Sequence, residues 1–398
     1  MSAKPRLFNS NLVLLIVCQG LFFTNNVTFI GINGLVGMSL TTIPWMATLP
    51  IMGYVIGGAL STALVAKTQS RHGRKKSFQL GLIIAVLSSL LCAFAVWIEN
   101  FWLLVLATVI AGYYSANGQL YRFAATEVVD TSLREKAISW VLAGGLIGAV
   151  VGPALARHTK DVAAYPFMGA YLALAVLGVL GIVLMNFIRF PDDARTEAPK
   201  SSGRDLKEIA RQPVFIVAAL GAGIGYGIMN LLMAATPLAM EVDGFPFSDM
   251  ATVLQWHVIG MFAPGFITGS LIKRFGTLQI MLVGLFLNLA CIFIALSGNT
   301  YEHYLISLFL LGVGWNFLFT GSTNLATQTH TPEERDKAQG AINFVVFFVM
   351  ALSSFSSGAL VTTQGWWWLN VGSLVPAVIV GVALLILYFR RARQGATA

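Results

Sequence analysis

Charge is absent from this chain over long distances, and nothing else in the sequence constrains the fold as strongly. Between Arg6 and Lys67 lie 60 residues without Asp, Glu, Lys or Arg, and between Lys337 and Arg390 lie 52 more. Eight further charge-free runs of 20 to 30 residues cover 77–98, 100–121, 137–156, 162–188, 212–240, 250–272, 275–301 and 303–332. A helix needs about 20 apolar residues to cross a bilayer. The two long runs hold two spans each and the others one each, so twelve spans are predicted. A β-barrel would show period-two alternation instead of unbroken apolar runs. Charged residues make up 11% of the chain, against roughly 25% in a soluble domain. A soluble enzyme, a disordered chain and a secreted disulfide scaffold are excluded together.

The net charge of +8 invites a nucleic-acid reading, but its placement argues for a membrane topology. With the N-terminus in the cytoplasm, the inside segments carry 23 of the 25 Lys and Arg residues, and the outside loops only Arg157 and Lys160. That bias orients a membrane protein, so both termini are expected in the cytoplasm and no nucleic-acid partner is expected. The apolar stretch near the start is too long for a signal-peptide core and reads as an uncleaved first span. Cys18, Cys92 and Cys291 all fall inside expected helices, so neither a disulfide nor a metal site is expected.

The expected spans are 11–34, 42–66, 78–97, 101–128, 137–156, 166–187, 213–240, 250–272, 277–296, 304–327, 338–362 and 366–389. The long polar stretch 188–212, rich in Pro, Ser and mixed charge, reads as a solvated cytoplasmic linker. It divides the chain into 1–187 and 213–398, six spans each. The halves share loop signatures. Arg71-His72-Gly73-Arg74-Lys75 follows span 2 and Lys273-Arg274-Phe275-Gly276 follows span 8, at an offset of 203 between the glycines. Ala125-Thr126 with Arg134-Glu135-Lys136-Ala137 follows span 4. Ala326-Thr327 with Arg335-Asp336-Lys337-Ala338 follows span 10, at an offset of 201. Two matched loops at nearly one offset point to duplication of a six-span unit.

The 6 + 6 plan, the central linker and these loops resemble the major facilitator superfamily of secondary transporters, over nearly the whole chain. That resemblance implies an all-α membrane fold of twelve transmembrane helices in two pseudo-symmetric six-helix bundles. The family's loop after span 2 reads G-x-L-A-D-R-x-G-R-R; here AKTQSRHGRK keeps Arg71, Gly73, Arg74 and Lys75, with Ala66 and Ser70 replacing the Gly and Asp. The second copy keeps Gly269, Leu271, Arg274 and Gly276, with Lys273 where the Asp would stand. By resemblance, Arg71, Gly73, Arg74, Arg274 and Gly276 belong to the cytoplasmic gate, and loss of both Asp residues removes one lock of that gate. In span 5, Gly148, Gly152 and Pro153 resemble the G-x-x-x-G-P motif of the family's antiporters. The small residues would admit close packing and Pro153 would kink the span. Ordinary helix packing explains the pair of glycines equally well. The antiporters' Arg in span 4 is replaced here by Thr108.

The resemblance also implies that spans 1, 4, 7 and 10 line a substrate cavity near the midplane. The sequence independently places its amides and aromatic polar groups on those spans: Gln19 and Asn26; Tyr114, Asn117 and Tyr121; Tyr226 and Asn230; Trp315, Asn316 and Thr320. Spacings of three, four and seven put each set on one helix face. Either a ligand or a neighbouring helix can satisfy such groups. All 17 acids fall in loops or at span ends. His257, about eight residues into span 8, is the candidate proton-coupling group, or else a neutral histidine bonded to a neighbour. Arg122 near the cytoplasmic end of span 4 is a functional candidate or a snorkelling side chain. Trp366-Trp367-Trp368 reads as an interfacial aromatic belt.

No phosphate-binding glycine loop, HExxH, paired intramembrane carboxylates or Gly-x-Ser-x-Gly is present. Enzymatic activity and ATP-driven pumping therefore have no motif behind them, and no cofactor is expected. The resemblance implies a secondary transporter of a small organic solute working by alternating access in a bacterial inner membrane, functional as a monomer. Amides, Tyr and Trp without a buried acid suit a neutral or mildly anionic, flat solute such as a vitamin, with riboflavin one example that the residues do not select. Facilitated or weakly proton-linked uptake is the first expectation. Proton-coupled efflux is the alternative, and a non-transporting sensor of the same fold a third.

Overall fold

The computed structural model describes residues 7–190 and 203–396. Lys4, Arg6 and linker positions 191–202 lie outside the described residues. Among the described residues every regular element is helical. Ten helices have the length and composition to cross a membrane. The pair Phe247–Phe262 and Gly265–Phe275, bent by 42°, supplies one more span. A twelfth is contained in Leu49–Trp97. Those 49 residues would run roughly 74 Å as one straight helix, more than twice the roughly 30 Å hydrocarbon core. Gly73 breaks the run with φ 81° and ψ 167°. Spans 2 and 3 thus continue as helix well past the membrane and meet at a single glycine, where the sequence had suggested a loop.

The helices sort into two compact units, Met1–Ala198 and Pro199–Ala398. In the first, span 1 (Ser10–Leu40) packs on span 5, span 2 on span 4 (Phe101–Gly118), and span 3 on span 6 (Met168–Phe187). In the second, span 7 (Pro213–Val242) packs on span 11 (Arg335–Thr363), span 8 on span 10 (Tyr301–Ala326), and span 9 (Thr277–Ser297) on span 12 (Gly365–Ala396). The pairing repeats after six spans. Three glycine pairs at the same offset of 203 carry it. Gly73 and Gly276 both have positive φ, 81° and 94°. A Cβ on Gly57 would overlap the Val109 backbone, and one on Gly260 would lie 2.8 Å from the Phe309 carbonyl. A Cβ on Gly81 would lie 3.0 Å from the Asn117 side chain, and one on Gly284 2.8 Å from the Gly314 carbonyl. Small residues let these backbones approach, which is how helices associate when burial in lipid gives no hydrophobic advantage.

Two segments add detail to the sequence reading. Pro153 sits inside the continuous helix Gly145–Thr159. The helical hydrogen-bond pattern is interrupted at Gly144, between Arg134–Ala143 and Gly145–Thr159, while its φ −56° and ψ −22° stay helical. A Cβ on Gly144 would stand 2.5 Å from the Ile16 carbonyl of span 1, so span 1 passes close to this junction. The described end of the linker is also not simply solvated. Leu206–Ala210 forms a helical turn with Ile209 fully buried, and Arg204 is tied to the segment after span 10. Of the tryptophan triple, Trp366 is buried against Tyr304 at 5.3 Å between ring centres, while Trp367 and Trp368 are exposed.

Candidate functional site

In the N-terminal unit, Asn26 is half-buried and its Nδ2 donates to the Tyr54 hydroxyl at 3.3 Å. Ser115 also bonds that hydroxyl. Gln19 is 1% exposed, and its Oε1 has no hydrogen-bond partner among the described residues. Asn117 is fully buried. It accepts from Ser77 Oγ at 3.1 Å and donates to the Tyr113 carbonyl at 3.4 Å, joining spans 3 and 4. Tyr114 and Tyr121 lie in the unit's apolar core, edge-on to Phe22 at 5.6 and 6.5 Å. Gly148 and Gly152 face span 1. A Cβ on Gly148 would overlap Phe23, and Thr28 Oγ1 donates to the Gly152 carbonyl at 3.1 Å. Pro153 is buried in the same helix.

In the C-terminal unit, Asn230 Nδ2 donates to Ser353 Oγ at 2.9 Å and Ser354 Oγ at 2.8 Å, tying span 7 to span 11. Asn316 bridges the bend in span 8. Its Nδ2 donates to the Met261 carbonyl at 2.7 Å on one side, and its Oδ1 accepts from Thr268 Oγ1 at 2.7 Å on the other. Both amides have their hydrogen-bonding capacity largely occupied within the unit. The aromatic groups beside them are arranged differently. Trp315 and Phe319 stack with 9° between planes and centres 5.1 Å apart. Tyr226 stands edge-on to both, at 5.2 and 5.4 Å. Phe262, the last residue before the bend of span 8, lies 6.5 Å from Trp315. Tyr226, Phe262, Phe319 and Thr320 are half-buried. The structure therefore brings Tyr226 and Trp315 into one neighbourhood and adds Phe262 and Phe319, with Thr320 the next residue along the helix. Phe319 was readable as the residue four positions after Trp315 on the same face. Phe262 carried no signal beyond its place before Ala263-Pro264.

His257 is fully buried. Its Nδ1 lies 2.7 Å from the Leu308 carbonyl. A carbonyl only accepts, so Nδ1 carries the hydrogen, and Nε2 is left as an acceptor with no partner among the described residues. Arg122 stacks over the Phe123 ring at 4.8 Å.

Beside the Gly73 turn, Arg74 pairs with Glu127 at 2.5 Å and donates to Gln69 at 3.2 Å. Glu127, at the end of span 4, supplies the acid missing from the loop itself, and the sequence had not singled it out. Arg71 is exposed, and Arg274 is exposed over the Phe275 ring at 5.1 Å. On the C-terminal unit, Arg204 donates to Glu334 from its backbone N–H at 2.8 Å, from Nε at 2.9 Å and from Nη2 at 2.7 Å. The Thr331 N–H adds a bond at 3.0 Å, and Gln212 and Arg204 both donate to the Thr329 carbonyl. The Arg204 guanidinium, then the Thr331 and Arg204 backbone N–H groups, hold the Glu334 carboxyl down at about 2, below its ordinary 4.5.

The profile of the family described as Major Facilitator Superfamily matches residues 12–263 and 250–397. The chain belongs to this superfamily. Within it, the chain is 37% identical over 390 residues to the riboflavin transporter RfnT of Brucella anthropi, covering 98% of this chain and 97% of that one. It is 28% identical to the uncharacterized MFS-type transporter YddS of Bacillus subtilis, over 88% and 84% of the two chains. The nucleoside transporter NupG, 13% identical, superposes with a TM-score of 0.72 over 94% of this chain and 99% of its own. At that identity the similarity describes the shared superfamily fold.

Proposed function

We propose that this superfamily member is an uptake transporter for riboflavin or a closely related flat, hydrogen-bonding vitamin. The observation that carries it is full-length 37% identity to a riboflavin transporter. The aromatic group of Tyr226, Trp315 and Phe319 supports it, because an isoalloxazine-sized ring gains from stacking on such surfaces. In this proposal Trp315, Tyr226 and Thr320 of the C-terminal unit meet the ring. Asn117, Asn230 and Asn316 act mainly as ties between helices, as does the Gly148–Gly152–Pro153 segment. Arg71, Gly73, Arg74, Arg274 and Gly276 work at the cytoplasmic gate. The protein acts as a monomer by alternating access in a bacterial inner membrane, with solute and lipid as its partners, and as a carrier rather than an enzyme. Proteoliposomes holding the purified protein should take up labelled riboflavin, with excess unlabelled riboflavin competing. Failure of uptake in liposomes where the protein is correctly inserted would overturn the proposal.

A proton-linked version rests on one observation, the free buried Nε2 of His257. An inward pH gradient should then drive accumulation, and His257→Gln should remove that drive while keeping substrate exchange. Accumulation that survives the substitution removes His257 from coupling.

A further inference from the structure

We infer that the indole N–H of Trp315 is the donor that selects the substrate, recognising a flat heteroaromatic ring with a hydrogen-bond acceptor on its edge. The inference deepens the proposed function and rests on it for the site. Trp315 is 7% exposed, and its Nε1 has no hydrogen-bond partner among the described residues. A buried indole N–H ordinarily finds a partner, because leaving a buried donor empty costs stability. The neighbouring side chain shows that this region can satisfy its polar groups, since Asn316 is bonded on both sides. Other buried polar atoms of this unit also lack partners, but their surroundings differ. Asn288 is pressed against the Gly314 backbone, and Trp366 sits at the outer end of span 12 beside Tyr304. Unlike these two, Trp315 is set among the half-buried aromatic side chains Tyr226, Phe262 and Phe319.

The ring geometry gives the donor its meaning. In the near-parallel Trp315–Phe319 stack each ring covers one face of the other, so the stack offers a ligand an outer ring face, and Tyr226 stands edge-on to both rings. A flat ligand on that face would rank poorly by stacking alone, because every aromatic ring stacks. A directed N–H at the margin separates rings that carry an edge carbonyl or ring nitrogen from those that do not. A site built to hydrogen-bond its substrate rejects the analogue that lacks the group, since a buried polar group is then left unpaired. The occupied amides of Asn230 and Asn316 leave this discrimination to Trp315.

The test uses the purified full chain. Flavin fluorescence quenching gives the riboflavin affinity of the parent and of Trp315→Phe, Trp315→Ala and Phe319→Leu, each checked for an unchanged thermal midpoint. Trp315→Phe keeps a stacking ring and loses the donor along with the fused five-membered ring. It should bind roughly three- to tenfold more weakly, as expected for one hydrogen bond. Independently of any loss of fold, protein labelled with 15N at the indole should show a Trp315 Nε1–H resonance, identified by its absence in Trp315→Phe. That resonance should move to higher frequency on riboflavin addition. Parent-like affinity in Trp315→Phe, or a resonance that riboflavin leaves in place, overturns the inference. If riboflavin does not bind the parent at all, the proposed function has failed. The same proteins are then titrated with lumichrome and guanosine, two other flat rings with edge acceptors. Binding of either with a shifted Trp315 resonance upholds the donor role, and binding of neither overturns it.

Discussion

Glu334 is the most heavily bonded acid described in this chain, and it makes a prediction with a definite sign. Its carboxyl is held near 2, below the ordinary 4.5. A depressed acid stabilises the fold fully above its unfolded value and loses that contribution as pH falls toward the folded one. The Arg204–Glu334 tie should therefore be constant across neutral and mildly acidic pH and weaken only from about 4.5 down to 2. Glu334→Gln should lower the thermal midpoint at pH 7, and the gap between parent and variant should close as the pH is taken below 4, as read by thermal unfolding in detergent. At Gly73 the prediction concerns the backbone alone. Its φ 81° and ψ 167° lie in a region that only glycine enters readily, yet nothing stands within 4 Å of the position a Cβ would take. Gly73→Val should cost on the order of 1 to 3 kcal/mol of local strain and slow uptake without blocking insertion. Gly269→Ala, another open position, should do neither. The glycines of the loops were legible in the sequence because they repeat. The partner of Arg74 was not, because Glu127 lies 53 residues away and only the fold brings it back.

At the level of the helix, the twelve spans were legible because lipid enforces long apolar runs, but their breaks were not. In span 5 Pro153 lies inside an unbroken helix, and the helical hydrogen-bond pattern is interrupted at Gly144, where the Ile16 carbonyl of span 1 leaves no room for a Cβ. In span 8 the bend falls at Ala263-Pro264, where Asn316 bonds the segment on each side. That role was invisible beforehand. The same amide, the same burial and the same spacing would serve a ligand equally well, and only the Met261 carbonyl and the Thr268 hydroxyl decide the matter. Asn316→Ala would take a donor from the Met261 carbonyl, while the Thr268 hydroxyl keeps its bond to the Pro264 carbonyl at 2.8 Å; the loss should be on the order of 1 kcal/mol, seen as a lower thermal midpoint. Its effect on riboflavin affinity should be smaller than that of Trp315→Ala. Equal losses in both variants would return Asn316 to the ligand.

At the scale of the whole chain, the 23-to-2 distribution of basic residues predicts that reporter fusions after Lys76, within 195–205 and after Arg393 all read out in the cytoplasm. A periplasmic signal from the central fusion would refute the orientation. Duplication was legible from two loops and reaches further than they did, into Gly57 with Gly260 and Gly81 with Gly284. The tie at Glu334 has no copy in the first half, where Leu133 stands at the corresponding position. Its two ends differ greatly in age during synthesis. Arg204 leaves the ribosome 130 residues ahead of Glu334, so at about 5 to 20 residues per second it waits roughly 7 to 26 seconds for its partner. Four spans must be threaded into the bilayer in that interval, and closure of the tie marks the moment when the second half has been made nearly to its last two helices.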